Sequence, residues 1–520
     1  MTQEAEQTWK PSRNPWLVAL PTIIAAFMFV LDETIANVSL SNMAGTFSAS
    51  RDESLWIITS YLIGSGIMIP AVDWFSKLMG RKNYFMMSIA IFTISSFACA
   101  LSSSMGMMIL ARFVQGLGGG GLLPVSQAVL LETFPLEKRP QAMATFGLVI
   151  IVAPILGPSV GGYITDNYSW PWIFLINIPI GIFAIYISKL FLEDPPYAQK
   201  QKDVYMDGKG FLFLTMWIVS MQIILEKGNN ADWFNTAWIC RLTVFMVISA
   251  VLFFWSQIKN KRSLIDLTVF KDKNFAVGTI VQIVIQMVLL ASLAILPQFL
   301  QSIMGYTALL SGLSIMPRGL GSLISMILCG TLASKIDNRI LAAIGLTMVG
   351  ISSLMLGNIN LQIASIDIVI PNFIFGFGMS FAMIPLVTLS AATLRNDQMT
   401  NASGVQNMLK NVGGAIGTSL AGTMITRYSQ IHQANMVHNL TPLNPVFQAK
   451  MEAMKGAFSQ LTHHSVAEYM AQYSLYGEML EQATLWGFME TFRIFGLATI
   501  IIVPLVFIIK SPKGAKDAKH

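Results

Sequence analysis

The chain is written mostly as long apolar runs broken by short polar ones. Runs of roughly 18 to 25 residues cross a bilayer as helices, at about 1.5 Å of rise per residue. Read this way, spans are expected near 16–40, 54–72, 84–102, 107–131, 141–163, 172–192, 208–226, 237–258, 274–298, 309–333, 340–358, 367–393, 402–426 and 485–509. The first run is too long for the apolar core of a signal peptide and reads as an uncleaved first span. Lys and Arg fall unevenly between the runs. The N-terminus, the C-terminus and the loops after even-numbered spans hold most of them, with Lys77, Arg81, Lys82, Lys138, Arg139, Lys259, Lys261 and Arg262 among them. The loops after odd-numbered spans hold Arg51, Lys227, Arg427, Lys450 and Lys455. Basic residues mark the cytoplasmic side, so both termini are expected there.

One connection is far longer than two neighbouring helices need. Residues 427–484, expected on the outer face, hold Phe447, Met451, Met454, Phe458 and Leu461 at alternating spacings of four and three. That period is an amphipathic helix. Val466, Tyr469, Met470, Tyr473, Tyr476 and Leu480 suggest a second. The stripes must bury against each other, against the spans, or against another protein. A lid and a docking element are both open readings of 445–482.

Composition narrows the class. Of 520 residues, 54% are hydrophobic and 12% charged, against about 25% charged in soluble domains. Mean hydropathy is +0.60. The chain is expected to be an all-α integral membrane protein. Its net charge of +6 lies in short loops and does not suggest a nucleic-acid partner. Cys99, Cys240 and Cys329 fall in or beside apolar runs, with no metal-ligand spacing. No metal is expected, and no nucleotide loop or nucleophile–base motif suggests an enzyme. The 32 Met and 32 Phe suit an adaptable apolar cavity, although most will pack or face lipid.

Charge inside the spans is the sharper signal. Asp32 lies about 16 residues into span 1, roughly 24 Å from its start. A carboxylate there costs a few kcal/mol or more and marks a functional site by default. Binding a proton removes the cost, which is how a carrier couples to a proton gradient. Glu33 is adjacent but about 100° around the helix, so the two cannot face one site equally. Arg112, about 8 Å into the antiparallel span 4, reaches a similar depth and is the candidate partner. Asp32 as a packing carboxylate and Arg112 as a snorkelling or carbonyl-binding cation are the structural alternatives. In the second half, Arg318 and Lys410 fall in spans 10 and 13. Two central cations with no nearby acid fit a cavity for anionic or neutral substrates, or they pair with Asp32 or Glu33 across the halves. Glu490 and Arg493 can pair on one helix face.

An internal repeat appears in the loops. Asp73-Trp74-Phe75-Ser76-Lys77-Leu78-Met79-Gly80-Arg81-Lys82 follows span 2, and Gly330-Thr331-Leu332-Ala333-Ser334-Lys335-Ile336-Asp337-Asn338-Arg339 follows span 10. They occupy equivalent places in two six-span halves if spans 7 and 8 are inserted between them. Repeated halves around a central site are a secondary-transporter architecture. The resulting division is 1–195 for the first bundle, 196–270 for the inserted spans and 271–520 for the second bundle, which carries the 427–484 insertion.

Three segments carry a family resemblance: Leu31-Asp32-Glu33-Thr34-Ile35-Ala36-Asn37-Val38-Ser39-Leu40, Arg112-Phe113-Val114-Gln115-Gly116-Leu117-Gly118-Gly119, and Gly157-Pro158-Ser159-Val160-Gly161-Gly162. With Trp172, Phe174, Asn177-Ile178-Pro179, Leu296-Pro297-Gln298 and Gly305-Tyr306, they make the chain resemble the major facilitator superfamily. The resemblance is to its fourteen-span drug:proton antiporters, and in particular to EmrB-type exporters. It implies a major facilitator fold of two six-helix bundles plus two inserted spans. It also implies proton-coupled export of lipophilic drugs or toxic small molecules across a bacterial inner membrane, with the proton as coupling ion and no other cofactor. A periplasmic adaptor and an outer-membrane channel are the implied partners. A same-fold carrier of one metabolite, fatty acid or lipid is the alternative.

Residue by residue, the resemblance assigns proton coupling to Asp32 and Arg112, with Glu33 beside them. Asn37, Gln115, Arg318 and Lys410 are the candidates for the substrate cavity. Pro154, Gly157, Pro158, Gly161 and Gly162 form a gating or helix-packing segment with a bend. Gly80, Arg81 and Lys82 fit the superfamily's basic loop. That loop departs from its pattern at Asp73, where glycine is usual, and at Lys77, where aspartate is usual, which puts a charge relay there in doubt. Ser41 replaces the proline that usually follows the first segment.

Overall fold

The computed structural model describes residues 13–510 apart from 55, 136–137, 196–197, 201–206, 260–266, 307, 334–335, 364–365, 395–397 and 461–462. Its regular structure there is entirely helical. This is what a bilayer imposes, because a spanning backbone must satisfy its polar groups within itself. The long helices of the N-terminal part are α1 (Pro15–Val38), α2 (Trp56–Met68), α3 (Arg81–Ala100), α4 (Met105–Gly119), α5 (Leu122–Thr133), α6 (Arg139–Asn167) and α7 (Asn177–Phe191). Next come α8 (Gly208–Lys227) and α9 (Ala237–Lys259). The C-terminal part holds α10 (Lys273–Ser302), α11 (Ala308–Leu332), α12 (Asn338–Leu356), α13 (Ile366–Ala391), α14 (Met399–Val437), α15 (Pro445–Ser459) and α16 (His464–Ile501).

Local chemistry starts these helices where the apolar runs begin. The Asn14 side chain accepts from the Trp16 N–H at 3.0 Å ahead of Pro15, and Ser104 caps Met107 at 3.3 Å. Asp207, Asp272 and Asp337 cap α8, α10 and α12 in the same way. Each cap satisfies an N–H left over at a helix start.

Among the described residues, 12 helices are long and apolar enough to cross a membrane. The expected fourth span is one of them, covering α4 and α5 together. Helices also cover the expected fifth and thirteenth spans, but neither is among the twelve. Helix α6 includes the shorter apolar stretch Gln141–Pro154. Helix α14 carries Asn401, Asn407, Lys410 and Asn411 along its first turns. Helix α6 stays a single element through Pro154 and Pro158, so the expected bend does not interrupt it.

The long connection differs from expectation in one respect. The second amphipathic segment is not a separate helix; it is the start of α16, which runs without a break into the last span. No Gly or Pro lies between Glu478 and Trp486 to stop it. Helix α14 likewise continues to Val437. Helix α15 packs along α16, held by Lys450 to Glu478 and by Lys455 to Glu468 at 3.0 Å.

Helices α8 and α9 pack on each other, and α8 also lies against α2 and α14. Leu214 and Ile218 share a buried cluster with Ile69, Val405 and Met408. Helix α9 turns Val244, Val247, Ile248, Val251 and Trp255 outward, a surface suited to lipid.

The two parts meet at several places besides the Ile69–Val405 cluster. Helix α6 runs along α11, where Gly147 faces Met326. Helix α14 touches α5, and Asn407 Nδ2 donates to Gln127 Oε1 at 3.0 Å. Val387 of α13 closes a cluster of Ala19, Ala26, Leu130, Phe134, Met143 and Phe146. The last two contacts lie toward the end of the bundle where α1 begins. They form a seal there.

Candidate functional site

Asp32 is fully buried in α1, and its side chain is enclosed by donors from two other helices. Arg112 Nη1 of α4 donates to Asp32 Oδ2 at 2.6 Å. Gln115 Nε2, one turn further along α4, donates to Oδ1 at 3.0 Å. Asn177 Nδ2, at the start of α7, donates to Oδ1 at 2.6 Å. The donors hold one another as well. Arg112 Nη1 reaches Gln115 Oε1 at 2.8 Å, and Asn177 also donates to Ser96 Oγ at 3.0 Å. Ser96 in turn donates to the Phe174 carbonyl at 2.9 Å.

Arg112 is equally buried, and its Nε donates to the Ile57 carbonyl at 3.2 Å. Its guanidinium lies 4.2 Å from the Tyr61 ring centre and 5.6 Å from that of Phe174. A desolvated ion pair survives only with good geometry and further hydrogen bonds. This one has both, and Arg112 cannot give up its proton. The only titratable member of the pair is therefore Asp32. One guanidinium nitrogen, Nη2, lacks a hydrogen-bond partner, so the cluster has room to change partners.

Glycines bring these helices close enough. A Cβ on Gly119 would come within 2.7 Å of the Phe29 ring, and one on Gly161 within 2.8 Å of Ile35. Gly157 faces Thr34. The Gly157–Gly161 segment is thus the surface of α6 on which α1 rests. Small residues have this role in membrane helix packing.

The Major Facilitator Superfamily pattern matches residues 22–418. The chain belongs to that superfamily. It is 33% identical over 507 residues to a probable multidrug resistance protein, EmrY, of Escherichia coli strain K12, covering 96% of each chain. It is 32% identical over 514 residues to the multidrug export protein EmrB of the same strain, covering 98% of each. Its fold is similar to the crystal structure of the human organic anion transporter MFSD10, with a TM-score of 0.60 at 12% identity, covering 95% of this chain and 100% of that one.

The superfamily's two-part repeat is visible in side-chain register. In the first part, a Cβ on Gly64 would strike the Phe113 carbonyl, and one on Gly116 the Tyr61 carbonyl. In the second, a Cβ on Gly321 would strike the Phe373 carbonyl, and one on Gly376 the Arg318 carbonyl. The spacings agree too: Tyr61 to Gly64 matches Arg318 to Gly321, and Arg112 to Gly116 matches Asn372 to Gly376. Arg318 therefore occupies the place of Tyr61, and Asn372 that of Arg112. Arg318 Nε donates to Asn372 Oδ1 at 3.1 Å, and Nη2 donates to Ser292 Oγ at 2.9 Å. Its guanidinium lies 4.0 Å from the Phe375 ring centre. No carboxylate joins it among the described residues, and Nη1 has no partner.

The remaining expected residues are dispersed. Gln115, expected in the cavity, is fully buried against Asp32 instead. Glu33 is half-buried, and among the described residues no hydrogen bond or ion pair joins it. It stays within electrostatic reach of Arg112 and Asp32. The Asn37, Pro158 and Ser159 side chains lie outside the described residues. Lys410 is half-buried on α14, three residues after Asn407. Neither Arg318 nor Lys410 pairs with Asp32, whose charge partner is Arg112. Glu490 and Arg493 do pair, at 3.2 Å.

Of the basic loop, Gly80 has φ 84° and makes the turn into α3. Arg81 forms a buried ion pair with Glu132 at 2.5 Å, at the end of α5. The Lys82 N–H donates to Asp194 at 2.8 Å, and its Nζ donates to the Lys189 carbonyl at 2.8 Å. Burial raises the Asp194 carboxyl above its ordinary value, while Lys82 and Arg81 oppose the rise. The loop therefore does more than anchor. It ties α5 to the end of α7 even though Lys77 simply pairs with Asp73 at 2.5 Å.

Asn177 and Tyr61 were not singled out in the sequence as partners of the pair. Their signal was weak but present: Asn177 is a polar residue opening an apolar run. Nothing along the chain says that it faces Asp32.

Proposed function

We propose that the chain is a fourteen-span proton-coupled antiporter that exports lipophilic drugs or toxic small molecules across a bacterial inner membrane. Both termini lie in the cytoplasm on this reading, as the Lys and Arg distribution indicates. The observation that carries the proposal is the sealed Asp32–Arg112 pair, a carboxylate at membrane depth held by three neutral or cationic donors. Protonating Asp32 removes one charge of the pair and releases Arg112, Gln115 and Asn177 to other partners. That is a two-state element a proton gradient can bias. The multidrug-export relatives support the cargo class. The 427–484 extension, with Tyr469 and Tyr473 largely exposed on α16, supports assembly with a periplasmic adaptor and an outer-membrane channel.

Substrate-triggered proton release from gradient-loaded proteoliposomes tests the coupling. Release with the native chain and none with Asp32→Asn is the expected result. Equal release from both would overturn it. Adaptor capture by the full chain, compared with a chain lacking 445–462, tests the assembly separately.

A further inference from the structure

Asp32 has no exposed surface, and an apolar cluster covers it on either side along α1. The two covers differ in build. Toward the start of α1 lie Phe29, Tyr61, Tyr84, Phe85 and Phe92, in a cluster that draws on α1, α2, α3, α5 and α7. Opening that side means parting whole spanning helices. Toward the end of α1 the cluster is smaller. Ile35, about one turn beyond Asp32, shares it with Met43, Cys99, Met108, Trp170 and Phe174. Two of these touch the Asp32 network directly. The Phe174 ring centre is 5.6 Å from the Arg112 guanidinium, and Cys99 Sγ is 3.6 Å from Gln115 Oε1.

The second cover contains a piece set between two backbone breaks. Helix α1 stops at Val38, and Ser39 leaves helical geometry at φ −91° and ψ 2°. The chain resumes as a short helix, Leu40–Thr46. It breaks again at Ser48, a non-glycine residue with φ 51°, a conformation that side chains disfavour. Among the described side chains of the short helix, only Met43 is fully buried, while Asn42 and Thr46 are exposed. A Cβ on Gly45 would meet nothing within 4 Å. The short helix therefore rests on the cluster through one main side chain.

Polar contacts hold it at both ends. At its base, Ser39 Oγ and Thr165 Oγ1 of α6 are 2.6 Å apart and buried. At its tip, Trp170 Nε1 donates to Thr46 Oγ1 at 3.0 Å. The Trp170 ring also meets that of Phe47, with centres 5.5 Å apart, and that of Phe174, at 6.3 Å. Trp170 thus stands between the tip of the short helix and the ring that covers Arg112.

We propose that Leu40–Thr46 is a hinged lid through which protons from the outer side reach Asp32, and that Trp170 is its latch. The proposal rests on the antiport reading, with Asp32 as the proton site, and adds the route to it. A fully enclosed carboxylate takes up a proton only when part of its cover opens, and local openings use the elements with the fewest buried contacts. Lifting the short helix uncovers Met43 and breaks the hydrogen bond at its tip. The spanning helices stay in place.

Two readouts on the purified full chain in nanodiscs test this. Cys99, buried in the cluster under the lid, is a native reporter of opening. Its modification by a trimethylammonium methanethiosulfonate is followed by peptide mass spectrometry. Trp170→Phe and Thr46→Val each remove one side of the latch and keep its shape. Each should speed Cys99 modification about fivefold, the effect of one hydrogen bond. The double variant should be no faster than either single one, since both remove the same contact. Cys329, buried in the second half, should keep its native rate throughout. The second readout is proton uptake by Asp32 after a pH jump, followed as the infrared carboxyl band that Asp32→Asn lacks. It should quicken by the same factor in the latch variants. Unchanged Cys99 rates, additive effects of the two substitutions, or an equal gain at Cys329 would overturn the lid. Faster Cys99 modification with unchanged proton uptake would overturn the route. So would faster uptake in Glu33→Gln with none in the latch variants, which would place the route past Glu33. A native chain with no Asp32-dependent band at any pH would refute the antiport reading itself, and the proton route with it.

Discussion

The centres of the two halves are built on the same helix pairing and carry different chemistry. In each, two parallel helices meet backbone to backbone at paired glycines, Gly64 with Gly116 and Gly321 with Gly376. In each, a buried guanidinium lies over an aromatic ring, 4.2 Å from Tyr61 or 4.0 Å from Phe375. Among the described residues, only the first half supplies a carboxylate to its guanidinium. Asp32 meets Arg112 from α1, whereas the neighbouring helix of the second half offers Ser292. On the proposed mechanism Asp32 is the group that takes up the proton, so the first half would carry a switchable charge and the second a fixed one. On that proposal, one repeated scaffold separates a proton-responsive centre from a centre of constant charge.

The largest expected effect breaks that asymmetry at its source. Asp32→Asn keeps the hydrogen-bonding shape but makes the first half as unresponsive as the second. Uphill efflux in proteoliposomes should fall to background, since one proton supplies about 2.3 kcal/mol per 100 mV. Arg318→Gln should retain proton-dependent efflux. Loss of coupling in both variants would remove the distinction between the halves.

Stability should separate the two arginines next. Arg112→Met strands the Asp32 carboxylate in a buried site, and breaking such a pair costs about 3–5 kcal/mol. Arg318→Met orphans only Asn372 and Ser292, neutral groups whose loss of a partner costs about 1–3 kcal/mol. Denaturant unfolding of both variants in one detergent checks the order. A larger cost at Arg318 would mean that it has a stronger partner than Asn372 and Ser292.

The paired glycines should show likeness where the arginines show difference. Gly116→Ala and Gly376→Ala each drive a methyl into a backbone carbonyl of the neighbouring helix. Each should cost about 1–3 kcal/mol, the usual range for overpacking. Unequal losses in the same unfolding assay would show that the two helix pairs are not mechanically equivalent.

The smallest effect sharpens the comparison by construction. Ser292→Asp places a carboxylate where Ser292 Oγ now lies 2.9 Å from Arg318 Nη2. The variant should fold with unfolding resistance no lower than the native chain. Substrate-triggered proton release should gain a second, smaller component. Release unchanged in amount would show that a buried Asp–Arg pair alone does not make a proton site.

Much of this molecule was determined by the sequence alone. Long apolar runs compel helices, because a lipid-embedded backbone has no other source of hydrogen bonds. The same runs made Asp32 and Arg112 stand out, since charge in hydrocarbon is costly wherever the chain places it. Depth could be counted along each run at a fixed rise, so the pairing of Asp32 with Arg112 was within reach. Tertiary structure decided what depends on rotation about a helix axis and on which helices are neighbours. A count along the chain cannot show that Asp32 is fully buried among donors while Glu33, one residue on, is only half-buried. Nor can it show that Gln115 donates to Asp32, that Asn177 joins it from a helix 145 residues away, or that Arg318 stands where the first half has a tyrosine. It also could not show that the helix of the last span begins at His464, because an amphipathic stripe and a spanning stripe join into one rod when no residue breaks the helix between them.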